Sequence, residues 1–293
     1  MLIYWILITL LFPLFAYSQQ VIVITGASRG IGYETAKLLA FEGNRVFGIV
    51  RESSLKQCED ENIEFIAVDY KDETSIQGAI DYIFSKTARV DVLINNAGYA
   101  LIGPVETLSE RQIIEQMELN FFAPIRFTKA VLPKMRINKS GRILNISSVN
   151  GISSQPFGAM YCASKAALES FSESLSIEIL PYNIHVSILQ PGPILNDFKL
   201  FLGETELESN PYKEVIDEIS YELENRLKNP FFQQYGQTSH EVALKIREIL
   251  QEPNPRLRYQ TSDFAKLEVE WKLKDLDGEL FLNKFKEIYE KNS

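Results

Sequence analysis

Tyr161 and Lys165 stand four positions apart in the stretch Tyr161-Cys162-Ala163-Ser164-Lys165. On a helix that spacing puts both side chains on one face, one turn apart. A phenol ordinarily holds its proton to about pH 10. A fixed ammonium beside it favours the phenolate and lowers that value. The expected product is a general acid and base that works nearer neutrality. A half-buried tyrosine beside a solvated lysine has the same spacing, so the pair gains meaning only from its company.

That company is a series of polar clusters, each following a short apolar run. Thr25-Gly26-Ala27-Ser28-Arg29-Gly30-Ile31-Gly32 follows Val21 to Ile24, and Asn95-Asn96-Ala97-Gly98 follows Val90 to Ile94. Ser147-Ser148 follows Arg142 to Ile146, and Pro191-Gly192-Pro193-Ile194 follows His185 to Leu189. In the first cluster, Gly26, Gly30 and Gly32 lie between a strand and a helix. Backbone without side chains approaches a pyrophosphate closely, and the helix N-terminus adds donors and positive charge. The second strand ends at Val50-Arg51-Glu52. Arg51, with Arg29 of the glycine loop, suits a 2′-phosphate. Glu52 suits the ribose hydroxyls if the strand runs one residue further. The charge argument predicts NADP(H) in preference to NAD(H).

The elements that must position these residues alternate. Strands are expected at Val21–Ile24, Arg45–Val50, Ile63–Val68, Val90–Ile94, Arg142–Ile146 and His185–Leu189. Helices are expected at Tyr33–Phe41, Thr74–Lys86, Glu110–Met135 with a break at Pro124, and Gly158–Ile179. A further helix is expected over Ser239–Leu250, with no capping-box Glu three residues after Ser239. Alternation at this spacing predicts an α/β, doubly wound parallel sheet. Ligands of such sheets sit outside the carboxyl ends of the strands, where every cluster above falls. One domain over residues 19–293 is expected. It carries a helical substrate lid at 198–237 and a C-terminal extension at 251–293.

Composition narrows the function. The 293 residues are 45% hydrophobic, with a formal net charge of -9. That charge argues against a nucleic-acid surface. Two cysteines, Cys58 and Cys162, and two histidines, His185 and His240, build neither a disulfide framework nor a multi-ligand metal site. Residues 1–17 are almost wholly apolar, shorter than the roughly 20 that span a bilayer. No Lys or Arg precedes them, and Ala16-Tyr17-Ser18 has the form of a cleavage site. A membrane anchor, a cleaved signal and an apolar arm on the domain all remain open, with the anchor favoured.

The ordered motifs resemble those of the short-chain dehydrogenase/reductase family over roughly residues 21–194. The resemblance rests on the glycine loop, Asn95-Asn96-Ala97-Gly98, Asn120, Ser148, the Tyr161–Lys165 stretch and Pro191-Gly192. Ser148 precedes Tyr161 by thirteen positions, the family's usual interval. The resemblance implies a Rossmann-type fold, NAD(P) chemistry and a tetrad of Asn120, Ser148, Tyr161 and Lys165. Tyr161 is then the proton donor or acceptor. Lys165 lowers its pKa and binds the nicotinamide ribose. Ser148 holds the substrate oxygen, and Asn120 positions Lys165 through water. Cofactor contacts are implied at Gly26, Ser28, Arg29, Gly30, Ile31, Gly32, Arg51, Asn96, Ala97, Gly98, Tyr161, Lys165, Pro191, Gly192 and Ile194. Asp69 falls where the family contacts the adenine ring. Where many relatives place a Thr after the Pro-Gly segment, this chain has Leu195-Asn196-Asp197, and Asn196 is the candidate substitute.

The Tyr161 stretch, Pro191-Gly192-Pro193 and Pro255-Arg256-Leu257-Arg258-Tyr259-Gln260-Thr261 are similar to the hydroxysteroid and retinol dehydrogenase branch. That implies an apolar alcohol or carbonyl substrate, with Phe198, Leu200, Phe201, Leu202, Phe231 and Phe232 as pocket candidates. A membrane association through residues 1–17 fits such a substrate. A homodimer or tetramer is the family-level expectation. A nucleotide-binding redox sensor without turnover, a reductase of polar substrates and a sugar-nucleotide epimerase are the alternatives.

Overall fold

The computed structural model describes residues 19–195, 200–202, 211–225 and 227–284. The expectations for residues 1–18 and for Asn196 and Phe198 lie outside these residues, as do the side chains of Leu200, Phe201 and Leu202. Among the described residues no helix is long and apolar enough to cross a membrane.

Seven parallel strands form the central sheet: β1 Val21–Thr25, β2 Arg45–Val50, β3 Ile63–Ala67, β4 Val92–Asn95, β5 Gly141–Ile146, β6 Ile184–Gln190 and β7 Arg258–Gln260. Their order is β7-β6-β5-β4-β1-β2-β3. Among the described residues the helices longer than one turn are α1 Gly30–Phe41, α2 Glu73–Lys86, α3 Glu110–Met117, α4 Ala123–Asn138, α5 Ala159–Glu178, α6 Lys213–Glu224, α7 Pro230–Tyr235, α8 Ser239–Gln251 and α9 Asp263–Lys274. The order reverses between β1 and β4, so the crevice for a ligand opens between the turns that follow them.

Alternation along each strand fills two cores. In β1, Val21 and Val23 join the core under α2, α4 and α5, with Ile80, Phe127 and Leu175. Ile22 and Ile24 join the opposite core under α1 and α8, with Ala36, Val242 and Ile246. A sheet covered on both faces needs near-continuous apolar strands, and β1, Val-Ile-Val-Ile-Thr, is one. At its amino end the Val21 backbone N–H donates to Asp91 Oδ2 at 2.8 Å. Arg89 there ties down the Gln19 carbonyl at 2.9 Å.

Three local readings of the sequence shift. The break in the long helical region is a π-helical turn at Glu118–Phe122, carrying Asn120, and not a kink at Pro124. Pro124 sits at the start of α4, directly after that π-turn. The cap of α8 is Thr238, one residue earlier than read, and Glu241 completes a capping box. The stretch 251–293 supplies β7, paired with β6 through Tyr259 and Leu189. A three-residue strand carries too little periodicity to be seen beforehand.

Candidate active site

β1 ends at Thr25 and the chain turns through Gly26, which has φ of +70°. A Cβ on Gly26 would lie 2.8 Å from Ala97 Cα. The turn can therefore be neither left-handed nor this close to the next strand end with a larger residue. Asn96 Nδ2 donates to the carbonyls of Thr25 at 2.9 Å and Gly26 at 3.3 Å. Thr25 Oγ1 accepts from the backbone N–H groups of Asn96 and Ala97. The two turns at the switch point are thus one bonded unit. Arg29 is the N-cap of α1, and its side chain makes no bond to the first turn. The opening N–H groups of α1 are left for a ligand.

A cavity of about 2170 Å³ runs from this turn across the carboxyl ends of the strands. It exceeds the roughly 300–1,000 Å³ of a single small-molecule pocket. Gly26, Ser28, Arg29, Gly30 and Ile31 line it, as do Arg51, Asn96, Ala97, Gly98, Ser148, Tyr161, Pro191, Gly192 and Ile194. Four residues expected at the site do not line the cavity. Gly32 lies behind it: a Cβ there would sit 2.4 Å from both Asn96 Nδ2 and Gly26 O, so it serves the packing of α1 on the turn. Asp69 is exposed and spends Oδ1 on the Lys71 N–H of its own turn. Lys165 and Asn120 are buried in the wall, 4% and 1% exposed. Glu52, the rival of Arg51, opens the helical turn Glu52–Leu55 and is likewise off the cavity.

α5 carries Tyr161 and Lys165 on the face toward β5. The Tyr161 phenol is hydrogen-bonded to the Ser148 side chain. Ser148 Oγ also accepts from the Asn150 N–H at 3.1 Å, which caps a short turn and fixes its rotamer. The neighbouring Ser147 Oγ is buried without a partner, so Ser148 is the one in the constellation. Lys165 Nζ donates to the Ile146 carbonyl at 2.8 Å and lies 5.9 Å from the Tyr161 ring centroid. Asn120 Nδ2 donates to Tyr99 O at 2.9 Å and Ser164 Oγ at 3.0 Å, and its Oδ1 accepts from the Tyr99 N–H. Asn120 and Lys165 flank Gly98, where a Cβ would lie 3.1 Å from Asn120 Oδ1 and 3.6 Å from Lys165 Nζ.

Burial pushes the Tyr161 phenol up to about 12, against a lowering by the Ser148 bond. Burial pushes the Lys165 ammonium down to about 8, against a raising by Glu169. The acidified phenol expected from the sequence is therefore not a property of the protein alone. Desolvation is the largest influence on both groups and disfavours both charged forms.

Tyr70 was not foreseen. It lines the cavity, donates its hydroxyl to the Ile49 carbonyl at 2.9 Å and accepts from the Gly26 N–H at 3.0 Å. It braces the glycine turn against the end of β2. A tyrosine one position after Asp69 carries no motif, so no sequence signal marks it.

The pattern described as short chain dehydrogenase matches residues 20–206. The chain belongs to the short-chain dehydrogenase family. The enzyme interconverts CH–OH groups and carbonyls with NAD(P). It is 32% identical to human 17-beta-hydroxysteroid dehydrogenase type 1 over 266 residues, 84% of this chain and 78% of that one. It is 41% identical to a 3-ketodihydrosphingosine reductase of Bacteroides thetaiotaomicron over 182 residues, 61% of this chain and 65% of that one. A short-chain dehydrogenase structure from Streptomyces avermitilis superposes with a TM-score of 0.78 at 30% identity, covering 95% of this chain and 100% of that one. The resemblance of this dehydrogenase to the hydroxysteroid and retinol dehydrogenase branch holds.

Proposed function

We propose that this dehydrogenase is an NADP(H)-dependent enzyme of apolar alcohols and carbonyls, with Tyr161 as its acid and base. The observation that carries this reading is an aromatic wall sharing one cavity with the phenol. Phe231, Phe232, Tyr235 and Phe264 pack with ring centroids 5.0 to 5.7 Å apart. All four line the cavity that Tyr161 and Ser148 also line. Such a wall favours a substrate whose body is hydrocarbon. The named relatives, a hydroxysteroid dehydrogenase and a ketosphingoid reductase, support the same class. α6 and α7, within the expected lid, supply Ile219 and Phe231 to this side.

The glycine turn fits the diphosphate of a dinucleotide, because a Cβ would close it and the first N–H groups of α1 are uncapped. Arg29 and Arg51 would hold a 2′-phosphate. Gly98, Pro191, Gly192 and Ile194 would hold the nicotinamide half. Bound there, NAD(P) supplies or takes up the hydride. The protein handles the proton. In reduction the Tyr161 hydroxyl gives its proton to the carbonyl oxygen, while the Ser148 hydroxyl holds that oxygen in place. In oxidation the same phenol accepts the alcohol proton. Lys165, fixed by Ile146 O, supplies the adjacent charge, and Asn120 braces the wall behind it. A homodimer or tetramer is supported by apolar side chains left outside, among them Phe122, Ile137 and Ile177. Attachment to a membrane through residues 1–17 fits the same substrate class.

The test is turnover of a panel of retinoids, steroids, long-chain ketones and sugars, followed by NADPH absorbance. Apolar members are expected to turn over, and Tyr161→Phe to lose at least about 10²-fold in kcat. Arg51→Asp is expected to shift the kcat/KM ratio toward NADH. Turnover confined to polar members, or a wild-type preference for NADH, refutes the corresponding half. Nucleotide binding with no turnover, unchanged in Tyr161→Phe, would favour a redox-sensing module instead.

A further inference from the structure

Glu169 lies one turn beyond Lys165 on α5 and is 3% exposed. A buried carboxylate is costly unless it is paired and hydrogen-bonded. Here both oxygens are engaged, and by the far side of the sheet. Oε1 accepts from Gln190 Nε2 of β6 at 2.9 Å. Oε2 accepts from Arg258 Nε of β7 at 3.0 Å, and Arg258 Nη2 continues to Glu173 at 2.9 Å. Gln190 is wholly buried and also accepts from Gln260 Nε2 of β7. Gly151 leaves room for this: a Cβ there would lie 3.0 Å from Glu169 Cγ.

The acid–base reading assigns no role to this cluster. A salt bridge between a helix and an edge strand does not need burial, and exposed pairs such as Lys129–Glu73 are cheaper to make. What burial adds is strength toward a neighbouring charge, since water no longer screens it. Beyond Arg258, the next buried charge is Lys165, one turn back on α5. The charged and titratable groups around Lys165 are Tyr161 and Glu169 on its own helix, and Arg258 on β7 beyond Glu169. β5 and the Asn120 turn offer it only the neutral Ile146 carbonyl, Ser147, Ser148 and Asn120. Glu169 is thus the one anion next to it among the described residues.

We propose that Glu169 is a positioning residue for the Tyr161–Lys165 pair. Clamped by Arg258 and Gln190, it is a fixed anion one turn along α5 from the buried ammonium, so the last strand of the sheet bears on proton transfer through space. The proposal rests on the acid–base reading of Tyr161, and the test separates the two.

The test is the pH dependence of kcat/KM, which reports ionisations of the free enzyme, in wild type, Glu169→Gln, Glu169→Asp and Tyr161→Phe. Without the anion the ammonium gives up its proton more readily. The break expected near pH 8 should move down by about one pH unit in Glu169→Gln. Glu169→Asp, which draws the carboxylate back by one methylene, should move it the same way by less. A packing role leaves the break in place and instead costs Glu169→Asp more stability than Glu169→Gln, because Gln keeps the shape and Asp does not. An unmoved break in folded Glu169→Gln overturns the proposal. If that variant does not fold, an unmoved break in Glu169→Asp does so equally. Full activity in Tyr161→Phe would instead overturn the acid–base reading beneath it.

Discussion

The Tyr70 hydroxyl shows how one side chain sets the shape of a phosphate cradle. The Gly26 N–H is shared between that hydroxyl and the Ile49 carbonyl. Tyr70→Phe removes one partner from each, a net loss of about 1 kcal/mol. The expected outcome is a several-fold rise in KM for the dinucleotide with kcat nearly unchanged, read by steady-state kinetics. Equal loss in kcat would place Tyr70 nearer the chemistry than its position allows. At this scale the sequence was legible where chemistry forces spacing. Tyr161 and Lys165 share a helix face, and Ser148 ends the strand beside them. Tyr70 and Glu169 were not legible, since their partners lie 44 and 89 positions away in sequence. No local pattern encodes such contacts. The phenol's own acidity was misjudged for a related reason. Spacing reveals a neighbouring charge but not the loss of water around it.

Elements decide how firmly those residues are held. α8 packs against α1 on the sheet face behind the glycine turn, and its start is fixed by a reciprocal cap. Thr238 Oγ1 accepts from the Glu241 N–H at 3.2 Å, and Glu241 Oε2 accepts from the Thr238 N–H at 2.7 Å. The preceding Gln237–Thr238 bridge pairs with Ile194–Leu195, tying the cap to the Pro191-Gly192 segment. Thr238→Ala should therefore cost about 1 kcal/mol of stability, seen as a lower thermal midpoint with the KM for the dinucleotide retained. The sequence reading began this helix at the right residue but took Ser239 itself as the cap, which hid the Glu. The π-turn at Glu118–Phe122 was missed because an extra residue in a helical turn leaves no compositional mark. Pro124, two residues after that turn, was the visible mark of the break. The first six strands were legible because each is apolar and ends in a polar cluster.

At the scale of the whole molecule, burial of the pair ties stability to pH. Lys165 has a folded value near 8, below the ordinary 10.5. The unfolded chain therefore binds the extra proton between those values, and stability rises with pH across that window. Tyr161 acts oppositely: its folded value near 12 exceeds the ordinary 10, so its contribution is lost as pH climbs from 10 to 12. Relative to Lys165→Met, the wild type should gain on the order of 2 kcal/mol between pH 8 and 10, measured by urea denaturation. A parallel pair of curves would mean that the ammonium keeps more water than its burial implies.

The bonds that pin Gln19 and Val21 have a geometric consequence. They fix where the chain enters the domain, at the amino end of β1, while the mouth for substrate opens past the carboxyl ends. A tether through residues 1–17 would join the domain at the end of the sheet opposite that opening.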